Sequence, residues 1–495
     1  FFKYLIYLNE TFGFDIFLET LQFNNGPCLS LNDENDNYVG KIYQLENKAN
    51  ISNLSSNSNN QNNSINYNFN NSNNLSKILN NNSKQNIKSK KDKIGDIMSN
   101  IDLPPVFKSI KEEYPYHQII ALKNIGASPY MNVILQCLCN IEKLVSYFKY
   151  HQSIEEFNQS HGKETLTYSF KYLIENLWQS PGSKYILPKY NGENSNNKYF
   201  SPIGFKNKIS TMNSLFEGAQ ANDAKDLVNF IIMTLHEELN KITKNPILNT
   251  NNQIIDQTNH DMVLQYFAQN FSKENKSIIS DLFYAMSGTT TQCLKCNERK
   301  FNFQNYFFLI FPLEEVRKFK ILKLMNSNFQ NMMMMNPFLF QQNQFNNIQS
   351  VNIDDCFQYN EKTEFFTGEN AMYCNRCKGQ FSANYTTKLY YGPEILIIVL
   401  NRGKGIEFKV KLEFTETINL YQYFQMKDFG TVYNLMGVVT HMGENGASGH
   451  FIANAKSPID GQWYTYNDDL VYKVDDFKKQ IMDYAMPYIL FYQKQ

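Results

Sequence analysis

The chain's clearest chemical pattern is in its cysteines. Of eight, four fall in two identical spacings, Cys293-Leu294-Lys295-Cys296 and Cys374-Asn375-Arg376-Cys377, about 80 residues apart. A Cys-x-x-Cys turn lets two thiolates reach one ion, and two such turns complete a tetrahedral four-cysteine zinc site. Each pair lies between strand-like segments and has a turn former beside it, Asn297 and Gly379. Four thiolates leave no position open for water, so such a site is structural rather than catalytic. The alternative is two unrelated cysteine pairs. Cys137 and Cys139 lie in an apolar run and read as core residues. Cys28 and Cys356 stand in no supporting pattern.

Two further stretches carry residue types suited to a site. Asn124-Ile125-Gly126-Ala127-Ser128-Pro129-Tyr130-Met131-Asn132 runs on into Val133-Ile134-Leu135-Gln136-Cys137-Leu138. It reads as a tight loop opening a helix, with Gly126 for the turn, Ser128 as the cap and proline where a first helical turn favours it. Far downstream stand Gly449-His450-Phe451 and Trp463-Tyr464-Thr465-Tyr466-Asn467-Asp468. A lone histidine is more often structural than reactive, so His450 gains meaning only from its surroundings.

The scaffold for these residues is large. Hydrophobic residues make up 42% and aromatic residues 15% of the 495 positions, enough for a sizeable core and more than one domain. Net charge is zero and the pI is about 7.1, which gives no whole-chain argument for nucleic acid or an anionic membrane. No nucleic-acid partner is expected. No apolar run reaches the roughly 18 residues of a membrane span. The opening Phe1-Phe2-Lys3-Tyr4-Leu5-Ile6 has no initiator methionine, which suggests a fragment or a gene model with a missing start, and it is cut short by Asn9 and Glu10, so it reads as a poor signal peptide. Free or metal-bound thiols in an intracellular compartment, cytoplasmic and/or nuclear, are expected.

Three parts follow in order. Residues 1–48 remain unassigned, with a short helix expected over Phe12 to Leu21 and a strand over Tyr38 to Leu45. Residues 49–98 are Asn-rich and cannot bury enough apolar surface to offset chain entropy, so they read as a disordered linker. Its Lys88 to Lys93 run is either a nuclear localisation signal or, preferably, solvated linker charge. Residues 118–495 read as one globular unit, interrupted by a low-complexity insertion over 324–350. Spacing predicts helices over Met131 to Phe148, Thr165 to Trp178 and Asp223 to Leu239, and Ile278 to Met286 leads into a different texture. Strands are expected over Phe301 to Pro312, Thr386 to Leu400, Tyr433 to His441, His450 to Lys456, Gln462 to Asn467 and Tyr488 to Tyr492. Helices first and strands later give an α+β class.

Taken together, these blocks resemble the ubiquitin-specific protease (ubiquitin carboxyl-terminal hydrolase) family. Leu122-Lys123-Asn124-Ile125-Gly126 and Tyr130-Met131-Asn132 match its first box. Gln220-Ala221-Asn222-Asp223-Ala224 and Leu235 to Leu239 match its second stretch. Pro393 to Ile398 with Arg402 resemble its core strand, although Gly403 replaces the usual aromatic. His441-Met442-Gly443 and Gly449-His450-Phe451 match its histidine box. The resemblance implies a papain-like cysteine protease fold with thumb, palm and zinc-binding fingers, built to grip ubiquitin or ubiquitinated proteins, with other protein partners allowed. It places the oxyanion-stabilising side chain at Asn124, the base at His450 and the third catalytic position at Asn467, followed by Asp468 as a further candidate. Cys293, Cys296, Cys374 and Cys377 fall on the zinc ligands.

The nucleophilic cysteine of the family falls on Pro129. Proline supplies neither a thiol nor a backbone N–H, and loss of one oxyanion donor alone typically costs about a hundred- to a thousandfold in rate. The substitution thus silences the chemistry while suiting the helix start. Ser128 is accounted for by capping, and Cys137 lies two turns on, roughly 12 Å along the axis. The implied function is a ubiquitin-recognising pseudoenzyme. The alternatives are an active thiol-dependent deubiquitinase, which needs a substitute nucleophile, and a zinc-ribbon interaction scaffold.

Overall fold

The computed structural model describes residues 109–495, apart from 113, 115–118, 152–163, 180–197, 243–254, 333–348, 404, 406, 444–447 and 484–485. The helix expected over Phe12 to Leu21, the strand over Tyr38 to Leu45, the Asn-rich linker and most of the 324–350 insertion lie outside the described residues.

Helices dominate the first half. In chain order they are α1 (Pro129–Leu138), α2 (Glu142–Ser146), α3 (Leu166–Leu177), α4 (Ile203–Met212), α5 (Ala224–Leu239), α6 (His260–Glu274) and α7 (Ile278–Phe283), with α8 (Leu313–Met332) and α9 (Ile353–Asn360) among the strands. Helix α1 begins with Pro129 at its first position, after a loop in which Gly126 (φ 104°) and Ala127 (φ 43°) are left-handed. Every residue from Tyr130 to Leu138 is buried. The single helix expected over Met131 to Phe148 is broken, for a local reason. The Asn140 side chain donates to the Gln136 carbonyl at 2.8 Å, the acceptor that a continuing helix gives to the backbone. Ile141 is extended, α2 starts afresh at Glu142, and a wider turn covers Tyr147–His151.

Helices α3 and α5 fall where the spacing places them, with Thr165 and Asp223 as their caps. Glu238 of α5 binds the start of α3: its carboxylate accepts from the Leu166 N–H (3.0 Å), the Thr167 N–H (2.7 Å) and the Thr167 hydroxyl (2.5 Å). A carboxylate on unpaired N–H groups at a helix start complements both their hydrogen-bonding need and the helix dipole. Helices α4 and α6 escape the spacing analysis. Helix α6 buries only Val263 and Leu264, so its apolar stripe is too thin to register. Helix α8 runs past the expected insertion boundary at 324.

Strands of the second half form two main sheets. In chain order, β1 (Ile120–Leu122) and β2 (Lys198–Phe200) pair apart from the rest. The fingers are four strands: β3 (Ala285–Cys293), β4 (Arg299–Tyr306), a short strand Glu364–Phe366, and Ala383–Tyr391. The palm is an eight-stranded sheet. Along its path lie β5 (Leu309–Pro312), β6 (Ile395–Asn401), β7 (Val432–Met442), β8 (His450–Lys456), β9 (Trp463–Asn467), β10 (Leu470–Lys473) and β11 (Pro487–Lys494), and the eighth, a short strand Thr417–Asn419, pairs with β7 off that path. Strand β6 pairs antiparallel with β11 and parallel with β5.

The apolar run of β6 is buried on both faces. Ile395, Ile397 and Val399 join a core with the thumb helices, whereas Leu396, Ile398 and Leu400 join a second core containing Phe311, Phe357 and Tyr433. Ile110 and Tyr114, upstream of 118, also belong to the first core. Helix α1 packs against β7, β8 and β9. It comes so close to β7 that a Cβ on Gly437 would stand 3.3 Å from the Cys137 sulfur. The mixed helix-and-sheet class and the thumb, palm and fingers arrangement are as the sequence implies.

Replacing Glu238 by alanine strips three hydrogen bonds from the start of α3 and is expected to lower unfolding free energy by about 1–3 kcal/mol. Denaturant melts compare the two proteins, and an unchanged midpoint would refute the role given to this carboxylate.

Candidate functional site

Local chain geometry brings the three candidate stretches together. His450 opens β8 and Asn467 closes the adjacent β9, so neighbouring strands hold both side chains. His450 Nε2 lies 2.7 Å from Asn467 Oδ1. An amide oxygen only accepts, so Nε2 carries the proton and Nδ1 is the lone-pair nitrogen of the neutral ring. The His450 side chain is 38% exposed. Gly449 is required by contact: a Cβ there would come 2.4 Å from the ring of His441. His441 is itself buried, edge-on to Phe408 and Phe451, and burial pushes its pKa down.

Asp468 and Asp469 form the two-residue turn between β9 and β10. Asp468 Oδ1 accepts from Asn132 Nδ2 at 2.8 Å and Oδ2 from Asn124 Nδ2 at 3.0 Å. Asp469 Oδ1 accepts the Asn124 backbone N–H at 2.9 Å. The loop before α1 and the palm turn are thus tied directly. Asp468 stands 3.8 Å from His450 Nε2, outside hydrogen-bond range. Burial pushes its carboxyl up, against the pull of Asn132, His450 and Asn124.

Pro129 sits between Asn124 and Asn132 in this clasped loop. Ser128 occupies the cap position, but its hydroxyl does not cap the helix. The oxygen instead accepts the Ile125 N–H at 3.0 Å and lies 3.3 Å from Asn124 Oδ1, to which its hydroxyl donates. It is fully buried. Cys137 is also buried, and desolvation drives its thiol well above the usual range, so it is a poor thiolate.

The spacing analysis overlooked partners that are adjacent only in space. Asn132 and Asp469 complete the clasp, and Tyr488 donates to Asp223 Oδ2 at 2.6 Å at the start of α5. Asp226, one turn on, has its carboxyl pushed up to about 7 by burial first and by Asp223 second. Asn132 was legible as part of its block; the others carry no local signal.

In the fingers, the four cysteines converge. Their sulfur atoms all lie within 4.8 Å of one another, and Cys296 and Cys374 stand 3.6 Å apart. Thiolates about 2.3 Å from a shared tetrahedral ion stand just under 4 Å apart, so the set fits a metal. Left-handed residues turn the chain at each pair, Asn297 (φ 58°) and Lys378 (φ 55°), the latter one residue before the expected Gly379. Burial raises the Cys293 thiol, but the Cys296 and Lys295 amides and the neighbouring thiols outweigh it and bring it down to about 7. Burial and the same neighbouring thiols push Cys377 the other way, up to about 12, because close thiols oppose each other's ionisation when no cation stands among them.

The raised Asp226 carboxyl gives a signed pH dependence. Its folded pKa of about 7 exceeds the ordinary 3.8, so its stabilising contribution is complete below the lower value and is lost as pH rises through the higher one. Wild-type protein should lose stability between about pH 4 and pH 7 relative to Asp226→Asn. Chemical melts at stepped pH read the difference, and parallel curves would contradict it.

Comparison with known proteins agrees with this geometry. The family model described as ubiquitin carboxyl-terminal hydrolase matches residues 120–492. Ubiquitin carboxyl-terminal hydrolase 2 of Bos taurus is 24% identical over 383 residues, covering 76% of this chain and 55% of the relative. Ubiquitin carboxyl-terminal hydrolase 4 of Saccharomyces cerevisiae (strain YJM789) is 24% identical over 434 residues, covering 81% and 41%. The chain therefore spans only about half the length, or less, of these relatives. A chain from the SAGA DUB module of Ubp8, Sgf11, Sus1 and Sgf73, bound to monoubiquitin, shares the fold at a TM-score of 0.50 and 17% identity, with 83% and 76% covered. With three quarters of its length matched in block order, the chain belongs to the ubiquitin carboxyl-terminal hydrolase family.

Proposed function

We propose that this chain recognises ubiquitin, or proteins carrying it, without cleaving the bond at ubiquitin's end. One observation carries the reading: proline at the start of α1, in the loop clasped to the His450–Asn467 hairpin. A cysteine hydrolase needs a thiolate, a base to form it, an orienter for the base and donors for the oxyanion. His450 supplies the base, Asn467 orients it and Asn124 is the side-chain donor. Pro129 supplies neither the nucleophile nor an N–H. Ser128 and Cys137 do not replace it, the first for its engaged hydroxyl and the second for its burial. What remains is the clasped loop and the His450–Asn467 hairpin, whose polar groups are suited to binding.

The fingers support a zinc ion held by Cys293, Cys296, Cys374 and Cys377, closing the tip of the β3–β4 hairpin. No helix of the described residues is long and apolar enough to cross a membrane. A reducing compartment, cytoplasmic or nuclear, is part of the same reading, since the zinc site needs its four cysteines as thiolates. The segmentation into an unassigned start, an Asn-rich linker and a domain over 118–495 is part of the same proposal.

Three experiments test this reading. A ubiquitin probe with a C-terminal electrophile should leave the wild-type protein unlabelled, whereas Pro129→Cys should gain labelling; a covalent adduct on wild type would overturn the inactive reading. Titration should detect non-covalent ubiquitin binding, and none at millimolar concentration would leave only a scaffold role. Metal analysis should find about one zinc per chain. Cys296→Ser with Cys374→Ser should lose that zinc and melt at a lower temperature, and a zinc-free wild type would exclude the site.

A further inference from the structure

A cleft outside the site described above lies between α6 and β4. Its volume is about 380 Å³, near the small end of the range for ligand pockets. Its apolar wall is aromatic. Phe267 of α6 stacks with Phe271, ring centroids 6.4 Å apart, and tilts against Phe303 of β4 at 6.3 Å. Its polar groups lack a cation. Glu274, at the end of α6, has no ion-pair partner, and no lysine, arginine or histidine lines the cleft, among the described residues. Asn305 of β4 also lines it, and its Oδ1 is buried without a hydrogen-bond donor. Aromatic faces, an unpaired carboxylate and an acceptor short of a donor suit one chemistry, a cation that donates hydrogen bonds. A quaternary ammonium has no N–H and would leave Asn305 unsatisfied. A planar guanidinium, with five N–H donors, answers all three.

The cleft adjoins an open backbone edge. Strand β4 is an outer strand of the finger sheet. In an antiparallel ladder, backbone groups point alternately toward and away from the partner strand. The Phe301 N–H points away from β3, since it donates to the Gln257 carbonyl at 2.9 Å. Phe303 and Asn305 have the same parity. Their N–H and C=O groups therefore face outward beside the cleft, with no backbone partner among the described residues. Such an edge is a template for an added strand.

We propose that β4 takes an extended peptide segment of a partner protein as an added strand, with an arginine side chain of that segment seated in the cleft beside Phe271, Glu274 and Asn305. The backbone ladder supplies attachment, and the cleft selects the side chain. The surface uses no residue of the Pro129 loop or the His450–Asn467 hairpin, and it does not rest on the ubiquitin reading.

Calorimetric titration and hydrogen exchange on the full chain test the proposal. The probe is a blocked five-residue peptide with arginine at its centre and valine and threonine on either side, residues that favour an extended chain. It should bind saturably at millimolar concentration and slow exchange of the Phe303 and Asn305 amides about tenfold. Citrulline in place of the arginine keeps the shape and loses the charge, and should bind about tenfold more weakly. Glu274→Gln should weaken the arginine peptide about tenfold and leave the citrulline peptide unchanged. Equal affinity of the wild type for both peptides would overturn the cation in the cleft. A peptide methylated at every backbone nitrogen should not bind. Undiminished binding of that peptide, or binding of blocked arginine alone as tight as that of the parent peptide, would overturn the added strand. No binding of the arginine peptide by the wild type at millimolar concentration would overturn the proposal as a whole.

Discussion

Burial of α1 against the palm is the constraint from which the rest follows. Nine consecutive residues of this helix are buried, on every side rather than along one stripe. A helix buried all round must be enclosed by other elements, and here β7, β8 and β9 lie against it along with α5. At about 1.5–3 kcal/mol for each large apolar side chain, its burial is among the larger stabilising terms of the molecule. The close approach at Gly437 shows how little slack the packing has. Because the helix cannot shift, the loop at its start arrives at a fixed place beside the β9–β10 turn. The site is a consequence of the core.

On the proposed reading, one position is neutral for folding and decisive for chemistry. The first residue of a helix has no use for its N–H in the helical ladder. Proline there is well accommodated, and its fixed φ suits the helix. A hydrolytic site asks something different of the same residue, a reactive side chain and an N–H for developing negative charge. On that proposed reading, folding and catalysis place separate demands on residue 129, and proline meets only the first. The proposed binding surface draws on elements that the substitution leaves in place.

The sequence made some features legible because their causes are local. Strand β6 is a continuous apolar run, and a strand buried on both faces has to look that way. Helices α3 and α5 carry wide apolar stripes and recognisable caps. The cysteine pairs announce themselves by spacing. Other features depend on contacts that no window of sequence contains. Helix α6 buries too little to leave a stripe, and the break after α1 turns on a single asparagine bonding back to Gln136. Ser128 has the right type and place for a cap, yet its oxygen is drawn to Ile125 and Asn124. The bonds of Asn124 and Asn132 to Asp468 and Asp469 cross more than 330 residues of chain.

Strand β6 poses a register problem that apolar burial cannot solve. Slipping it by one residue would exchange Ile395, Ile397 and Val399 with Leu396, Ile398 and Leu400, and both faces would still be apolar. Hydrophobicity is therefore nearly blind to such an error. The residue just past the strand is not. Arg402 is 1% exposed, and its guanidinium donates to the Pro487, Phe408 and Val410 carbonyls at 2.7, 3.2 and 2.6 Å. A shifted strand would bury that charge without its acceptors, at a penalty of several kcal/mol. The buried arginine acts as an alignment mark, allowing the central strand to be uniformly oily while its pairing remains single-valued.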